Sequence, residues 1–370
     1  MSRAVMADGI DRIEKFLAER IERREIPGAV WAVAGPGGAI AAGAAGNAAL
    51  LPETSPARRD TIYDLGSLTK PLITSLLFLA VGREMGLDPA APARRFVPEL
   101  DRMDKREISL KHLLTHTAGL PAWAPLYTGG STIAEYLREI RDTTLVAPPG
   151  TRVVYSCMGY IVLGEILQRC ASQPLDALAS EVIFRPLKLT STAFRPPRAW
   201  LPRVAPTEDS CEYERKLAGS RADGYGGYRR GIVRGEVHDQ NAWTLGGVAG
   251  NAGLFSTVDE TVSLALEFLG VGRGLLDAAA QRSAREDQTP GLDEARSTAF
   301  LLAARGETSA GPDLPRETFG HNGFPGTSVW IDPVRQRVYV LLTNRVHPRA
   351  IEGYDMMPLR RRFHSLASGI

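Results

Sequence analysis

Ser67 and Lys70 stand three residues apart in Gly66-Ser67-Leu68-Thr69-Lys70, just ahead of the apolar run Pro71 to Val81. On a helix of about 1.5 Å rise and roughly 100° per residue, that spacing brings both side chains to one face, where hydroxyl and amine can touch. A lysine partly withdrawn from water loses some preference for its charged form. It can then take the proton of a neighbouring hydroxyl and make it a usable nucleophile. The first turn of such a helix also offers unpaired N–H groups to developing negative charge. Two further stretches carry matching chemistry. Tyr155-Ser156-Cys157 follows the turn Pro148-Pro149-Gly150, which sets Tyr155 at a loop tip or just before a helix. A phenol beside a cation can relay a proton, first as base and then as acid. His321-Asn322-Gly323 opens a run toward Trp330, and its glycine lets backbone approach a ligand closely at a strand edge. Alone, each has a plainer reading: a chance pattern on a solvated helix, a packed aromatic, a satisfied histidine.

The elements that must position these groups are legible in outline. The 370 residues suffice for one large or two interleaved domains. With 44 basic and 42 acidic residues and a net charge of +2, no strong field favours nucleic acid or an anionic membrane. The three cysteines, Cys157, Cys170 and Cys211, are odd in number and lack Cys-x-x-Cys spacing. That argues against a disulfide framework and a zinc site, and fits a reducing compartment. Charges run through the first 25 residues, where Ile10, Ile13, Phe16, Leu17 and Ile21 mark one helical face, so no secretory h-region is visible and a cytoplasmic location is expected. Ile26 to Pro52 is uncharged, but Gly35-Pro36-Gly37-Gly38 would break a spanning helix. A buried β-hairpin, with strands near Ala29 to Ala34 and Ala39 to Gly46, is expected instead.

The helix opening at Ser67 is predicted to stop near Gly86, with Pro89 beyond it. Short helices follow from Ser109 through His116, from the capping box Thr132/Glu135, and over Tyr160 to Leu167. Residues 198–234 are polar, rich in Gly and Arg and without period, and read as a long surface loop overhanging a cleft, its arginines a solvated face. Structure is expected to resume near Val248 to Thr257, with a second capping box, Thr257/Glu260, leading another helix. Two strands, Thr327 to Ile331 and Arg337 to Leu342, form a second hairpin, and Pro358 begins a terminal helix. The resulting expectation is an α+β fold. Residues 1–66 and 245–370 build an antiparallel sheet flanked by helices, and residues 67–244 form an inserted, mostly helical lobe.

The order and surroundings of these stretches closely resemble the serine β-lactamase and penicillin-binding-protein superfamily, in its class C-like branch that includes the family VIII carboxylesterases. The resemblance runs from Asp64-Leu65-Gly66-Ser67-Leu68-Thr69-Lys70 through Leu113-Leu114-Thr115-His116-Thr117-Ala118-Gly119-Leu120-Pro121, Pro149-Gly150-Thr151 and Tyr155-Ser156. It continues in Phe184-Arg185-Pro186-Leu187, Val237-His238-Asp239, Gly253-Leu254-Phe255-Ser256 and Gly320-His321-Asn322-Gly323. It implies that Ser67 is the acylated nucleophile, Lys70 its activating amine and Tyr155 the second member of a proton relay. The backbone N–H groups of Ser67 and Phe324 would form an oxyanion hole, each such donor worth about 3 kcal/mol of barrier. His321, Asn322 and Gly323 would line the cleft on a strand.

Two departures bear on the substrate. Cys157 stands where β-lactamases and cell-wall peptidases usually carry Asn, and a thiol neither donates to nor accepts from a substrate amide well. Asn322 stands where a hydroxyl often helps hold a substrate carboxylate. Both favour hydrolysis of small esters, with a D-aminopeptidase, DD-peptidase or weak β-lactamase as the alternative within the same chemistry. A non-catalytic acyl-accepting or ligand-binding module is the alternative of another class. No cofactor or metal is expected: His116 and His238 lack ligand spacing and read as structural. The partner is a small ester or amide, with neither nucleic acid nor membrane. Oligomeric state and the choice among water, alcohol or amine as acyl acceptor are not encoded in any motif.

Overall fold

The uncharged stretch folds into the expected hairpin. Strands β1 (Gly28–Gly35) and β2 (Gly38–Ala49) meet at a turn in which Gly37 and Gly38 have φ of +105° and +107°. The computed structural model describes residues 3–370. Its other strands are β3 (Ser55–Pro56), β4 (Tyr63–Asp64), β5 (Phe255–Ser256), β6 (Leu301–Leu302), β7 (Phe319–Asn322), β8 (Ser328–Asp332) and β9 (Arg337–Leu342). Seven of them make one sheet in the order β3-β2-β1-β9-β8-β7-β6, antiparallel at every pairing. The fold class is therefore α+β, with strands drawn from both ends of the chain. β4 and β5 form a separate two-stranded ribbon beside Ser67.

Strand alternation decides which helix lies on which face. Trp31, Val33, Tyr339 and Leu341 point to the side covered by the N-terminal helix (Arg3–Glu22) and the C-terminal helix (Met357–Ala367), among Ile13, Leu17 and Phe363. Val30, Ala32, Val338 and Val340 point the other way, into the larger core with Leu264 and Phe268 of helix Val258–Leu269. His364 is wholly buried on the first side, its Nε2 3.0 Å from Ser328 Oγ. Burial pushes this imidazole down to about 3. Its folded pKa lies below the unfolded value near 6.5, so the stability it confers is present above that value and is lost as the pH falls through the window toward 3. Between pH 7 and pH 5 the unfolding free energy is expected to drop by about 2 kcal/mol from this group, and by less in His364→Gln. Urea midpoints at both pH values check it; equal slopes in the two proteins would remove the assignment.

The middle of the chain departs from the sequence reading at three places. The stretch opening at Ser67 is not one α-helix to Gly86: Gly66–Leu68 is a 3₁₀ turn, Lys70–Ser75 a π-turn, and only Leu76–Val81 is α-helical. Pro71 lacks an N–H, and its ring would crowd the carbonyl of Ser67 four residues back, so the turn widens. Residues 198–234 are not structureless. They hold a 3₁₀ helix (Arg198–Arg203), an α-helix (Glu212–Ala218) entered through left-handed Ser210 and Cys211, and a 3₁₀ turn (Gly219–Ala222). Nor are all of the segment's arginines solvated: Arg229 is buried and donates to His238 O at 2.7 Å and Gln240 Oε1 at 3.2 Å. Finally, within Val248 to Thr257 only Phe255 and Ser256 form a strand. Thr257 does cap its helix by accepting from Glu260 N, but the Glu260 carboxylate accepts instead from the N–H groups of Thr190 and Ser191.

The capping box at Thr132/Glu135 forms in full, and the Tyr160 to Leu167 helix extends to Cys157–Ala171. Among the described residues no helix is long and apolar enough to cross a membrane.

Candidate active site

Ser67 is positioned by the turn before it. The buried Asp64 carboxylate accepts from Gly66 N at 2.8 Å and from His238 N at 2.6 Å, which folds the chain back at Gly66, in the left-handed region with φ of +54°. A Cβ on Gly66 would lie 2.6 Å from Pro325 Cδ and 3.3 Å from Phe324 N, so glycine is what lets the β7–β8 loop come against Ser67. Lys70 sits beneath the serine with no solvent exposure. Its Nζ donates to Ser67 Oγ at 2.9 Å and to Asn251 O at 3.0 Å, and lies 3.5 Å from Cys157 Sγ. The 3₁₀ turn Gly66–Leu68, in which residues three apart eclipse, keeps Ser67 and Lys70 on one side even though the backbone between them is not α-helical.

Tyr155 comes from the turn into helix Cys157–Ala171, whose N-cap Ser156 donates its hydroxyl to Pro121 O at 2.7 Å. His116, itself left-handed, fixes this turn: its O accepts from Val154 N at 2.8 Å and its Nδ1 from Ser156 N at 3.0 Å. The His116 ring lies between those of Tyr155 and Tyr160, centroids 4.5 and 5.0 Å away. Burial, with Arg296 and Lys70 nearby, drives its pKa well below the ordinary value, so it is the neutral acceptor that these bonds require. The Tyr155 ring lies 5.1 Å from Lys70 Nζ, close enough that the Lys70 charge pulls the phenol's pKa back down against the larger raising effect of burial.

On β7, His321 and Asn322 lead to Gly323, where a Cβ would fall 2.0 Å from Thr327 Oγ1 and 2.3 Å from Leu65 O. Only glycine fits. His321 is buried and held neutral, its pKa driven well below the usual range by burial and by Arg296 and Lys70; its Nδ1 lies 2.8 Å from Asn322 O. Asn322 Oδ1 accepts from Ser309 Oγ at 2.8 Å. Among the described residues neither Ser67 N–H nor Phe324 N–H has a hydrogen-bond acceptor. Arg345 donates to Phe324 O at 3.1 Å and lies 4.6 Å from the centre of its ring, with the His238 ring stacked 5.4 Å from that centre.

Ser67, Tyr155 and Phe324 border two adjoining cavities. One, of about 210 Å³, is lined also by Trp123, Cys157, Tyr213, Glu214, Leu217 and Asp239. The other, of about 370 Å³, is lined also by Arg296, His321, Asn322, Gly323, Arg345 and Arg360. Every site residue named from the sequence thus borders one cavity or, as Lys70, lies directly beneath. The sequence held no sign of Tyr213, Glu214 and Leu217, carried in by the helix Glu212–Ala218. It gave none either of the Asn251 carbonyl, which no side-chain type announces, or of the three arginines, which meet only through the fold.

Burial is the largest influence on Lys70 and lowers its pKa, but ionised Cys157 and Tyr155, with Asp239, would outweigh it and raise the balance. Burial likewise raises Cys157 and Tyr155, and the Lys70 charge pulls both back. At neutral pH thiol and phenol are therefore protonated, and their raising effect on the amine is absent. The protonation of the amine and that of the phenol thus bias one another.

This geometry, a Ser-x-x-Lys turn between an antiparallel sheet and a helical segment, defines a class of folds that includes both β-lactamases and penicillin-binding proteins. EstCE1, described as a hydrolase with promiscuous acyltransferase activity, superposes with a TM-score of 0.76 at 23% identity, covering 98% of this chain and 100% of that one. A penicillin-binding protein homologue from Caulobacter crescentus gives 0.74 at 19% identity, covering 97% of each chain. A class C β-lactamase from Rhodobacter sphaeroides gives 0.71 at 19%, covering 96% and 98%. The profile of the Beta-lactamase family matches residues 13–357, and the chain belongs to that family. An Escherichia coli (strain K12) relative named "Putative D-alanyl-D-alanine carboxypeptidase" is 32% identical over 326 residues, spanning 80% of this chain and 72% of the relative.

Proposed function

We propose that this chain is a serine hydrolase acting through an acyl-enzyme on Ser67, with small esters as its substrates. The observation that carries the reading is the amine of Lys70 donating to Ser67 Oγ at 2.9 Å, beside two N–H groups without acceptors. Ser67 Oγ attacks the carbonyl carbon while its proton passes to the Lys70 and Tyr155 pair. The Ser67 and Phe324 amides hold the oxyanion. As the carbon–leaving group bond breaks, the pair returns the proton to the departing oxygen or nitrogen. Water then attacks the ester on Ser67, gives its proton to the same pair, and the acid leaves as Ser67 Oγ recovers it.

A second reading within this chemistry is favoured by Arg345 and Arg360 in the larger cavity. Among the described residues neither pairs with a carboxylate, and burial lowers the pKa of both. Such cations suit a substrate whose leaving part carries a carboxylate, as in a carboxypeptidase. They can hold a carboxylate that, with Asn322 in place of a hydroxyl, lacks that hydroxyl's hydrogen bond.

Intact-mass analysis after fluorophosphonate treatment tests the reading. One adduct is expected on the wild type and none on Ser67→Ala, with repeated turnover of p-nitrophenyl butyrate; failure of the folded wild type to label overturns it. Labelling without turnover favours the acyl-accepting module. Faster release of alanine from D-alanyl-D-alanine peptides than of nitrophenol moves the assignment to the carboxylate-bearing class.

A further inference from the structure

We infer that the smaller cavity takes an acyl group bearing an ammonium, and that Glu214 is the carboxylate that recognises it; this rests on the hydrolase reading above. The walls of that cavity are mostly aromatic and apolar: Trp123, Tyr213, Leu217, Phe324 and Pro325. Into this lining the helix Glu212–Ala218 brings Glu214, only 6% exposed. Its two carboxyl oxygens share a single donor, Gln240 N, at 3.1 Å each, and among the described residues no lysine, arginine or histidine lies within ion-pair distance of it.

The neighbouring acids are treated differently. Glu208 faces His238 Nε2 at 3.1 Å and accepts from Tyr213 N at 2.8 Å. Asp239 accepts from Ala242 N at 2.7 Å and Asn251 Nδ2 at 3.1 Å, and borders the same cavity. Arg229, the buried guanidinium on this side, turns its Nη1 and Nη2 to the carbonyls of Val237 and His238 and to Gln240, leaves its Nε without a partner, and acts on Glu214 only from beyond ion-pair distance. Glu214 is thus a carboxyl taken out of water with no cation within ion-pair distance, and its ionised form there costs several kcal/mol unless a charge from outside compensates it.

Burial and the charge of Asp239 raise the Glu214 pKa well above the ordinary value, which favours the neutral acid. Its O–H then has no acceptor among the described residues. An arriving ammonium displaces that proton to water, or a neutral amine accepts it; either way one charge-assisted hydrogen bond replaces an unmade one. Trp123 and Tyr213, which line the same cavity, are aromatic rings of the kind that attract a cation. A metal ion does not suit the position, because among the described residues no three His, Cys, Asp or Glu side chains are grouped as metal ligands.

The test compares kcat/KM for p-nitrophenyl esters of 3-aminopropionate and butyrate, which are nearly the same size. At pH 7 the wild type is expected to prefer the aminoacyl ester by about tenfold or more. Glu214→Gln should bring the ratio to about one, and Glu214→Asp should leave an intermediate preference. Propylammonium should compete with butyryl ester hydrolysis by the wild type, and propanol at equal concentration should not, a measurement that needs no variant to fold. A wild type that prefers the butyrate, a ratio unmoved in Glu214→Gln, or equal inhibition by amine and alcohol would overturn the inference. Loss of fluorophosphonate labelling would instead overturn the hydrolase reading, so the two failures are separable.

Discussion

Replacing Lys70 by methionine is expected to slow acylation of Ser67 by about 10²- to 10⁴-fold, the usual worth of a positioned acid–base group. Methionine is the informative choice. Alanine would open a hole in a site with no solvent exposure and confound chemistry with packing, whereas methionine keeps the volume and removes only the amine. The change orphans Asn251 O, which accepts from the amine at 3.0 Å, at a cost of about 1–3 kcal/mol in stability. Thermal melts separate that loss from the kinetic one. Tyr155→Phe, keeping the ring against His116, is expected to lower the same rate at least about tenfold. Stopped-flow acylation by a nitrophenyl ester at matched folded fraction decides the matter. Wild-type rates in either protein would remove that residue from the relay.

The second large effect is expected from a single methyl group. In Gly323→Ala the new carbon would lie 2.0 Å from Thr327 Oγ1 and 2.3 Å from Leu65 O, inside the hydrogen bond by which Thr327 donates to Leu65 O at 2.9 Å. Neither neighbour can yield cheaply, since one is backbone and the other is tied to it. Overpacking of this kind costs about 1–3 kcal/mol. The relief available is outward movement of the β7–β8 loop, which carries the Phe324 amide away from Ser67. Losing one oxyanion donor lowers kcat by about 10²- to 10³-fold. Paired melts and burst kinetics should show both losses together. A stable Gly323→Ala protein with unchanged kcat would mean that the Phe324 amide does not hold the developing charge.

How much of this was readable beforehand follows from the range over which each feature is determined. The β1–β2 hairpin is a local matter of an uncharged run broken by a glycine turn, and it lies within a few residues of its expected ends. The Thr132/Glu135 cap is likewise local, and formed completely. The π-turn after Ser67 has a local cause in Pro71, whose effect on the carbonyl four residues earlier overrides the helical pattern of the apolar run. Helix Glu212–Ala218 is too short for an apolar period to register, and its place over the cavity comes from tertiary packing. The chemistry at Ser67, Lys70 and Tyr155 could be anticipated because residue type limits what a side chain can do. Arg345 and Arg360 could not, because an arginine in sequence does not say whether it will find a carboxylate.

The main-chain anchor of Lys70 has a consequence for how such a site can change over generations. Asn251 O grips the Lys70 amine from 181 positions away along the chain, and a peptide oxygen is present whatever side chain replaces its bearer. Point substitution at 251 or at 157 therefore leaves the amine's address intact while altering what stands around it. A lineage can retune its choice of substrate at these positions without first surrendering the reactive centre.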